Sequence, residues 1–222
     1  NRNVSKPQAE PITGRPVNIV SLSFCDVDLP VVLKIVEQEA IKLPDLILLP
    51  ETFRGEKTDT LDSMTIQSLT TLAKKYATYL VCPIYREHNG QRYNSTIVIE
   101  RNGSIGCIYD KMYPYWEEFN LKPITQVGKR AVTYDTDFGK IGLATCFDVN
   151  FPHLWDELAN QGAELVLWSS AYSAGTSLQA HALNHHYYIV TSTLARDCLA
   201  YDITGELIHA SQDPEINIAR LT

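Results

Sequence analysis

Short β-branched runs alternate with stretches of helical periodicity along the first half of the chain, and this alternation restricts the possible folds more than any other feature. VNIVSLSF (17–24) has the composition of a buried strand. LPVVLKIVEQEAIKL (29–43) places apolar residues at helical spacing and is stopped by Pro44-Asp45. DLILLP (45–50) is too short for a helix and ends on proline, so it reads as a second buried strand. TIQSLTTLAKKYATYL (65–80) predicts a second amphipathic helix and VCPIY (81–85) the next strand. Strands and helices in this order can bury their apolar faces only by stacking in layers, so the expected class is α/β.

From Tyr93 the pattern changes to hairpins. YNSTIVIERNGSIGCIYDK alternates apolar and polar residues around Asn102-Gly103, a strong two-residue turn signal. AVTYDTDFGKIGLATC sets Asp137-Phe138-Gly139 between two strand-like runs. A helix over 153–164 with Gly162 as its C-terminal cap, a strand over 164–172, a helix over 178–187 and a strand over 188–193 follow. A last hairpin turns through Thr204-Gly205. Residues 1–15 are polar, proline-containing and aperiodic, and are expected to form a tail. With no repeat or linker beyond it, 16–222 is expected to be one domain.

Composition excludes several function classes. A net charge of -7 with no Lys/Arg cluster argues against binding a nucleic-acid backbone. No apolar run approaches the roughly 18–20 residues that span a bilayer. Five scattered cysteines without a CxxC pair suggest neither a disulfide framework nor a zinc site. No GxGxxG or P-loop pattern is present, so no nucleotide cofactor is implied. The chain starts at Asn1 rather than Met; a cytoplasmic location is expected, with a removed signal sequence as the open alternative.

Three chemically capable residues stand at strand ends: Glu51 after DLILLP, Lys111 after IGCIYD, and Cys146 after KIGLAT. Sites in α/β proteins are commonly assembled at such ends. A thiol with a pKa near 8.5 is only a few per cent thiolate at pH 7, so it needs a base or a cationic neighbour. Glu51 can remove its proton. Lys111 can lower its pKa and stabilise an oxyanion, with help from the backbone N–H of Phe147. The set suffices for acyl transfer without histidine.

Other constellations are weaker. His181 and His185 lie four apart on a predicted helix, but Ala182 follows His181 where an HExxH motif needs its glutamate. A Cys146–His185 dyad would leave Glu51 and Lys111 unexplained. Asp148 is expected to cap the turn and helix that follow it. Tyr113, Tyr115, Trp116 and Phe119 cluster after the lysine, as core, interface or pocket wall.

LLPET (48–52), YDKMYP (109–114) and GLATCFDVNFP (142–152), followed by NQGAELVLWSSAY, resemble the motifs of the nitrilase (carbon–nitrogen hydrolase) superfamily in type, order and interval. The resemblance covers residues 17–210. It implies a four-layer αββα sandwich, usually doubled across a homodimer or larger homo-oligomer, and a thioester acyl-enzyme on Cys146 with no cofactor. It also implies a second glutamate shortly after the lysine, which in YPYWEEFN is Glu117 or Glu118, with Glu117 preferred. Substrate contacts are expected from Phe147, Asn150, Tyr115, Ser170 and Tyr172.

The chain departs from the family pattern in several places. Asn150 stands where many members carry arginine, a bidentate carboxylate grip, which weakens the expectation of an acidic substrate. His153 replaces a glutamate, Lys-x-His becomes Lys111-Met112-Tyr113, and LNHHYYIVTSTLARD is shorter than usual. The sequence stops soon after EINIARLT, before the extension often found in the family, as expected of a truncated or trimmed chain. The expected activity is hydrolysis of a small amide. N-acyl transfer to an amine, nitrile or ureido hydrolysis, and a non-catalytic scaffold are the alternatives.

Overall fold

The computed structural model describes residues 15–222, and residues 1–14 of the expected tail lie outside the described residues. Arg15, assigned to that tail, is tied to the body of the protein. Its guanidinium donates to both oxygens of Asp45 at 3.1 and 3.2 Å.

The first sheet has the order β14-β1-β2-β4-β5-β6. Its strands are β1 (Ile19–Phe24), β2 (Leu46–Leu48), β4 (Tyr79–His88), β5 (Gln91–Ile99), β6 (Ile105–Asp110) and β14 (Ile216–Leu221), with short β3 (Thr58–Asp59) and β7 (Thr125–Gln126) pairing β4 and β5. The second sheet has the order β13-β12-β11-β10-β9-β8. It comprises β8 (Thr133–Thr136), β9 (Gly139–Thr145), β10 (Leu165–Ser170), β11 (Tyr188–Thr193), β12 (Asp197–Tyr201) and β13 (Leu207–Gln212). Helices α1 (Leu29–Ala40) and α2 (Met64–Tyr76) cover the first sheet, and α3 (Pro152–Asn160) and α4 (Gly175–His185) cover the second. The result is the expected αββα sandwich.

Side-chain alternation decides which residue meets which layer, because successive strand residues point to opposite faces. In β1, Val20, Leu22 and Phe24 pack with Val32, Val36 and Ala40 of α1 and with Ile66, Leu69 and Ala73 of α2. The intervening Ser21 and Ser23 face the second sheet, where they donate to the carbonyls of Thr191 and Asp197 at 2.6 and 2.8 Å. In β2, Ile47 joins the helix side, while Leu46 and Leu48 join the core shared with Leu143, Leu167 and Ile189. The apolar spacing of each helix is therefore matched by one face of a strand.

Several boundaries differ from the expectation. The second helix ends at Tyr76, because Ala77 takes a left-handed conformation (φ 51°) and Tyr79-Leu80 belong to β4. β4 is longer than VCPIY and turns into β5 through Asn89-Gly90, both at positive φ (52° and 74°), a hairpin additional to those expected. β14 was also unforeseen. It runs antiparallel to β1, placing Leu221 opposite Ile19. Arg220 fastens it to α1 by bonding both oxygens of buried Glu39 at 2.8 Å each.

Candidate active site

The parallel strands β2, β9 and β10 end at the same side of the sandwich, and the chain turns sharply after each. Beyond β2, Leu49 N donates to Val81 O, and Glu51 opens a turn in which Thr52 has φ 41°. Beyond β9, Cys146 itself has φ 50° and starts a 3-10 turn over Cys146–Asn150. A non-glycine residue in the left-handed region costs roughly 1 kcal/mol, and such strain is often found where a side chain must be aimed. The turn is pinned from outside, since Trp168 of β10 donates its indole N–H to the Cys146 carbonyl at 3.2 Å.

Lys111 follows β6. Its N–H donates to Asn94 O at 2.8 Å and its carbonyl accepts from Gly128 N at 2.9 Å. A side chain at 128 would strike this backbone, for a Cβ there would lie 1.8 Å from Asp110 O. The lysine is thus held between two segments, and its side chain is 1% exposed.

The Lys111 ammonium donates to Glu51 Oε1 at 2.8 Å and to Glu118 Oε1 at 2.6 Å. Asn94 bridges the same two acids, its Nδ2 donating to Glu51 Oε1 at 2.8 Å and Glu118 Oε2 at 2.9 Å. Glu51 Oε2 accepts from Ala171 N, at the end of β10, at 2.8 Å. The Cys146 thiol lies within electrostatic reach of Glu51, Lys111 and the same Ala171 N–H. One carboxylate, one ammonium and one thiol, drawn from both sheets, therefore share a single buried cluster.

Asp148 ties the nucleophile turn to the lysine segment. Its oxygens accept from Tyr109 OH at 2.7 Å, Thr145 N at 2.8 Å and Tyr113 N at 3.0 Å. It closes the 3-10 turn as expected of a cap, but it reaches across to 109–113 instead of capping α3.

Burial dominates the electrostatics. It pushes the Cys146 thiol up to about 12; the Glu51 charge adds to this, and Lys111 and the Ala171 N–H oppose it. The thiol is therefore protonated at neutral pH and needs a base at the moment of attack. Burial disfavours the Lys111 ammonium, but Glu51, Cys146 and Glu118 outweigh it and hold its pKa well above the ordinary lysine value. Burial also raises the Asp148 carboxyl to about 7, against the pull of Lys111 and its three donors.

Among the sequence-expected residues, Glu51, Lys111 and Cys146 come together, all under 7% exposed. The preferred second glutamate does not. Glu117 is exposed on the 3-10 turn Trp116–Asn120, whereas its neighbour Glu118 is 6% exposed and reaches Lys111. The turn sets this choice: Glu118 Oε1 also accepts from Tyr115 N at 2.9 Å, a capping interaction that aims Glu118 inward and leaves Glu117 on the outer side. Phe147 follows the nucleophile, meets the Tyr115 ring at 5.2 Å and accepts from the Asn150 amide through its carbonyl at 3.1 Å. Burial together with the nearby Cys146 raises the Tyr172 phenol pKa. Ser170 is fully buried and accepts from Tyr172 N at 3.0 Å, which gives it a turn-shaping position. Asn94 was missed; its only signal was an amide at an interior position of the β-rich run YNSTIVI.

The histidines lie elsewhere. His181 is stacked on Trp155 and 2.9 Å from Val149 O, and His185 sits between His181 and Tyr187, 3.6 Å from Asp156. Among the described residues no group of three His, Cys, Asp or Glu is placed to hold a metal ion. Nor is any described helix long and apolar enough to cross a membrane.

Comparison with known proteins sets this geometry in context. The family model described as "Carbon-nitrogen hydrolase" matches residues 28–222. The chain is 29% identical to a deaminated glutathione amidase of Dictyostelium discoideum over 51% of this chain and 44% of that protein. It is 25% identical to omega-amidase NIT2-B of Xenopus laevis over 74% of this chain and 67% of that protein. The matched region is thus less than half of the first relative's length and about two thirds of the second's. NitN amidase of Nesterenkonia has the same fold, with a TM-score of 0.82 at 17% identity over 93% of this chain and 92% of that one. In a variant of that amidase, acrylamide has added to the active-site cysteine.

Proposed function

The chain belongs to the carbon–nitrogen hydrolase family, and from that footing we propose that it hydrolyses a small amide through a thioester on Cys146. The observation that carries the proposal is the shared contact of Lys111 with two carboxylates, 2.8 and 2.6 Å away, beside a thiol at the end of β9. The amidases among its relatives support the reaction class, and the cysteine adduct in the Nesterenkonia enzyme supports the nucleophile.

In the proposed sequence, Cys146 Sγ attacks the amide carbon while Glu51 takes the thiol proton. Negative charge then gathers on the former carbonyl oxygen. Two N–H groups of Lys111 are committed to Glu51 and Glu118, so its third is available to that oxygen, with the Phe147 N–H as the second donor. Glu51 returns the proton to the nitrogen, the C–N bond breaks and ammonia leaves, with the acyl group held as a thioester. Water attacks next, its proton passes to Glu51, and collapse expels the sulfur, which takes that proton back as the acid departs. Glu118 touches none of the reacting atoms in this scheme; it keeps Lys111 charged and in place.

The test is ammonia release from a panel of simple amides. Wild-type turnover with loss to background in Cys146→Ala and Glu51→Gln is expected, and wild type quenched in acid during turnover should show an acyl mass increment on the Cys146 peptide. Turnover that survives Cys146→Ala refutes the proposal, and an N-acylated product after adding an amine assigns acyl transfer instead. A homo-oligomeric assembly and a cytoplasmic setting belong to the same proposal, checked by light scattering and cell fractionation.

A further inference from the structure

Neutral aromatic rings border the nucleophile turn. Phe147, directly after the nucleophile, meets the Tyr115 ring edge-on at 5.2 Å and the Phe151 ring at 5.6 Å. Tyr115 in turn lies 5.5 Å from Trp116. On the other flank, Tyr172 packs edge-on at 5.8 Å against Trp168, whose indole holds the Cys146 carbonyl. Asn150 closes the nucleophile turn, its amide donating to Phe147 O at 3.1 Å. These rings are not absorbed by the core, since Tyr115, Trp116 and Tyr172 are 37%, 59% and 38% exposed.

Cationic partners for an acidic substrate are missing from the same segments. The turns 51–56, 111–121, 146–151 and 170–174 carry two cations, Arg54 and Lys111. Lys111 is buried between Glu51 and Glu118, and Arg54 lies 3.6 Å from Asp59. Glu117 adds a negative charge on the exposed side of its turn. A second carboxylate on the substrate would have to shed water here without a countercharge and against an acidic field. An aryl or extended apolar acyl group would instead meet ring faces and edges.

Resting on the amidase reading, we infer that this site takes an uncharged amide whose acyl chain carries an aromatic or extended apolar group, and that it discriminates against ω-amido acids. Asn150 and the Tyr115–Phe147 ring pair are the specificity-determining residues. Asn150 bonds a backbone carbonyl where a carboxylate grip would need a guanidinium.

The experiment compares kcat/KM for ammonia release from 3-phenylpropionamide and from succinamate. Wild type is expected to prefer 3-phenylpropionamide by at least 30-fold. Phe147→Ala and, as the surface alternative, Tyr115→Ala should each cut that preference at least 5-fold through KM. Asn150→Arg should raise kcat/KM for succinamate at least 10-fold. Equal or better turnover of succinamate by wild type overturns the specificity inference and leaves the amidase reading standing. An unchanged ratio in all three variants also overturns it, because the rim then serves only packing or contacts between copies. Absence of ammonia from both compounds and from the simple amides above overturns the amidase reading, and the inference with it.

Discussion

Replacing Glu118 by Gln tests the part of the site where sequence and structure disagree. The carboxylate lies 2.6 Å from Lys111 Nζ, so at an effective dielectric near 20 the gross attraction is about 6 kcal/mol. Most of that offsets the desolvation of a lysine that is 1% exposed. Glutamine keeps the shape and can still accept from Lys111 through its Oε1. Its Nε2 would then face Asn94 Nδ2, which now donates to Glu118 Oε2 at 2.9 Å, and two donors cannot bond. Turning Asn94 over would cost its bond to Glu51. A displaced ammonium and a disturbed base together are expected to lower kcat/KM by about 100- to 1000-fold, near 3–4 kcal/mol, the range seen when one oxyanion donor is lost. Losing one of its two carboxylates also lowers the Lys111 pKa, so the alkaline limb of the pH–rate profile moves to lower pH. Glu117→Gln, on the exposed side of the same turn, should change kcat/KM by less than about 2-fold. The assay is ammonia release across pH for both variants beside wild type. Glu118→Gln with more than a third of wild-type activity, or Glu117→Gln as damaged as Glu118→Gln, would refute the geometric assignment.

Other consequences are open to direct measurement. With the thiol pushed up to about 12, iodoacetamide labelling of the Cys146 peptide should rise close to tenfold per pH unit between pH 8 and 10, and a plateau below pH 9 would contradict a buried, base-dependent thiol. The Asp148 carboxyl is raised from 3.8 to about 7, so the native state holds its proton more tightly than the unfolded chain. The stability this gives is present below pH 4 and lost as pH rises to about 7, so denaturant titrations of wild type and Asp148→Asn should diverge across that window; parallel pH dependence would count against the burial argument. Gly128→Ala forces a Cβ against Asp110 O and should cost about 3 kcal/mol or more along with most activity, visible as a lowered urea midpoint. A stable, active Gly128→Ala protein would mean that the 110–111 backbone moves freely.

Much of this molecule was written in local patterns. Apolar runs bounded by Pro44, Pro50 and Gly162 marked strands and helices, because each element must bury one face, and the turns at Asn102-Gly103, Gly139 and Gly205 followed from glycine's tolerance of positive φ. Glu51, Lys111 and Cys146 were legible as strand-end residues of complementary chemistry, and their motifs carried the family. Adjacent glutamates, by contrast, have the same composition and nearly the same context. Only the 3-10 turn, which points one inward to Lys111 and the other to solvent, separates Glu118 from Glu117. Asn94 looked like an ordinary strand residue until packing brought two acids to its amide. The partner of β1 lies at the far end of the chain in β14, a pairing that no local signal encodes. Periodicity specifies which face of an element is apolar, whereas sequence-distant neighbours are chosen by how those faces close on one another, and the arrangement of the proposed site is a product of that closure.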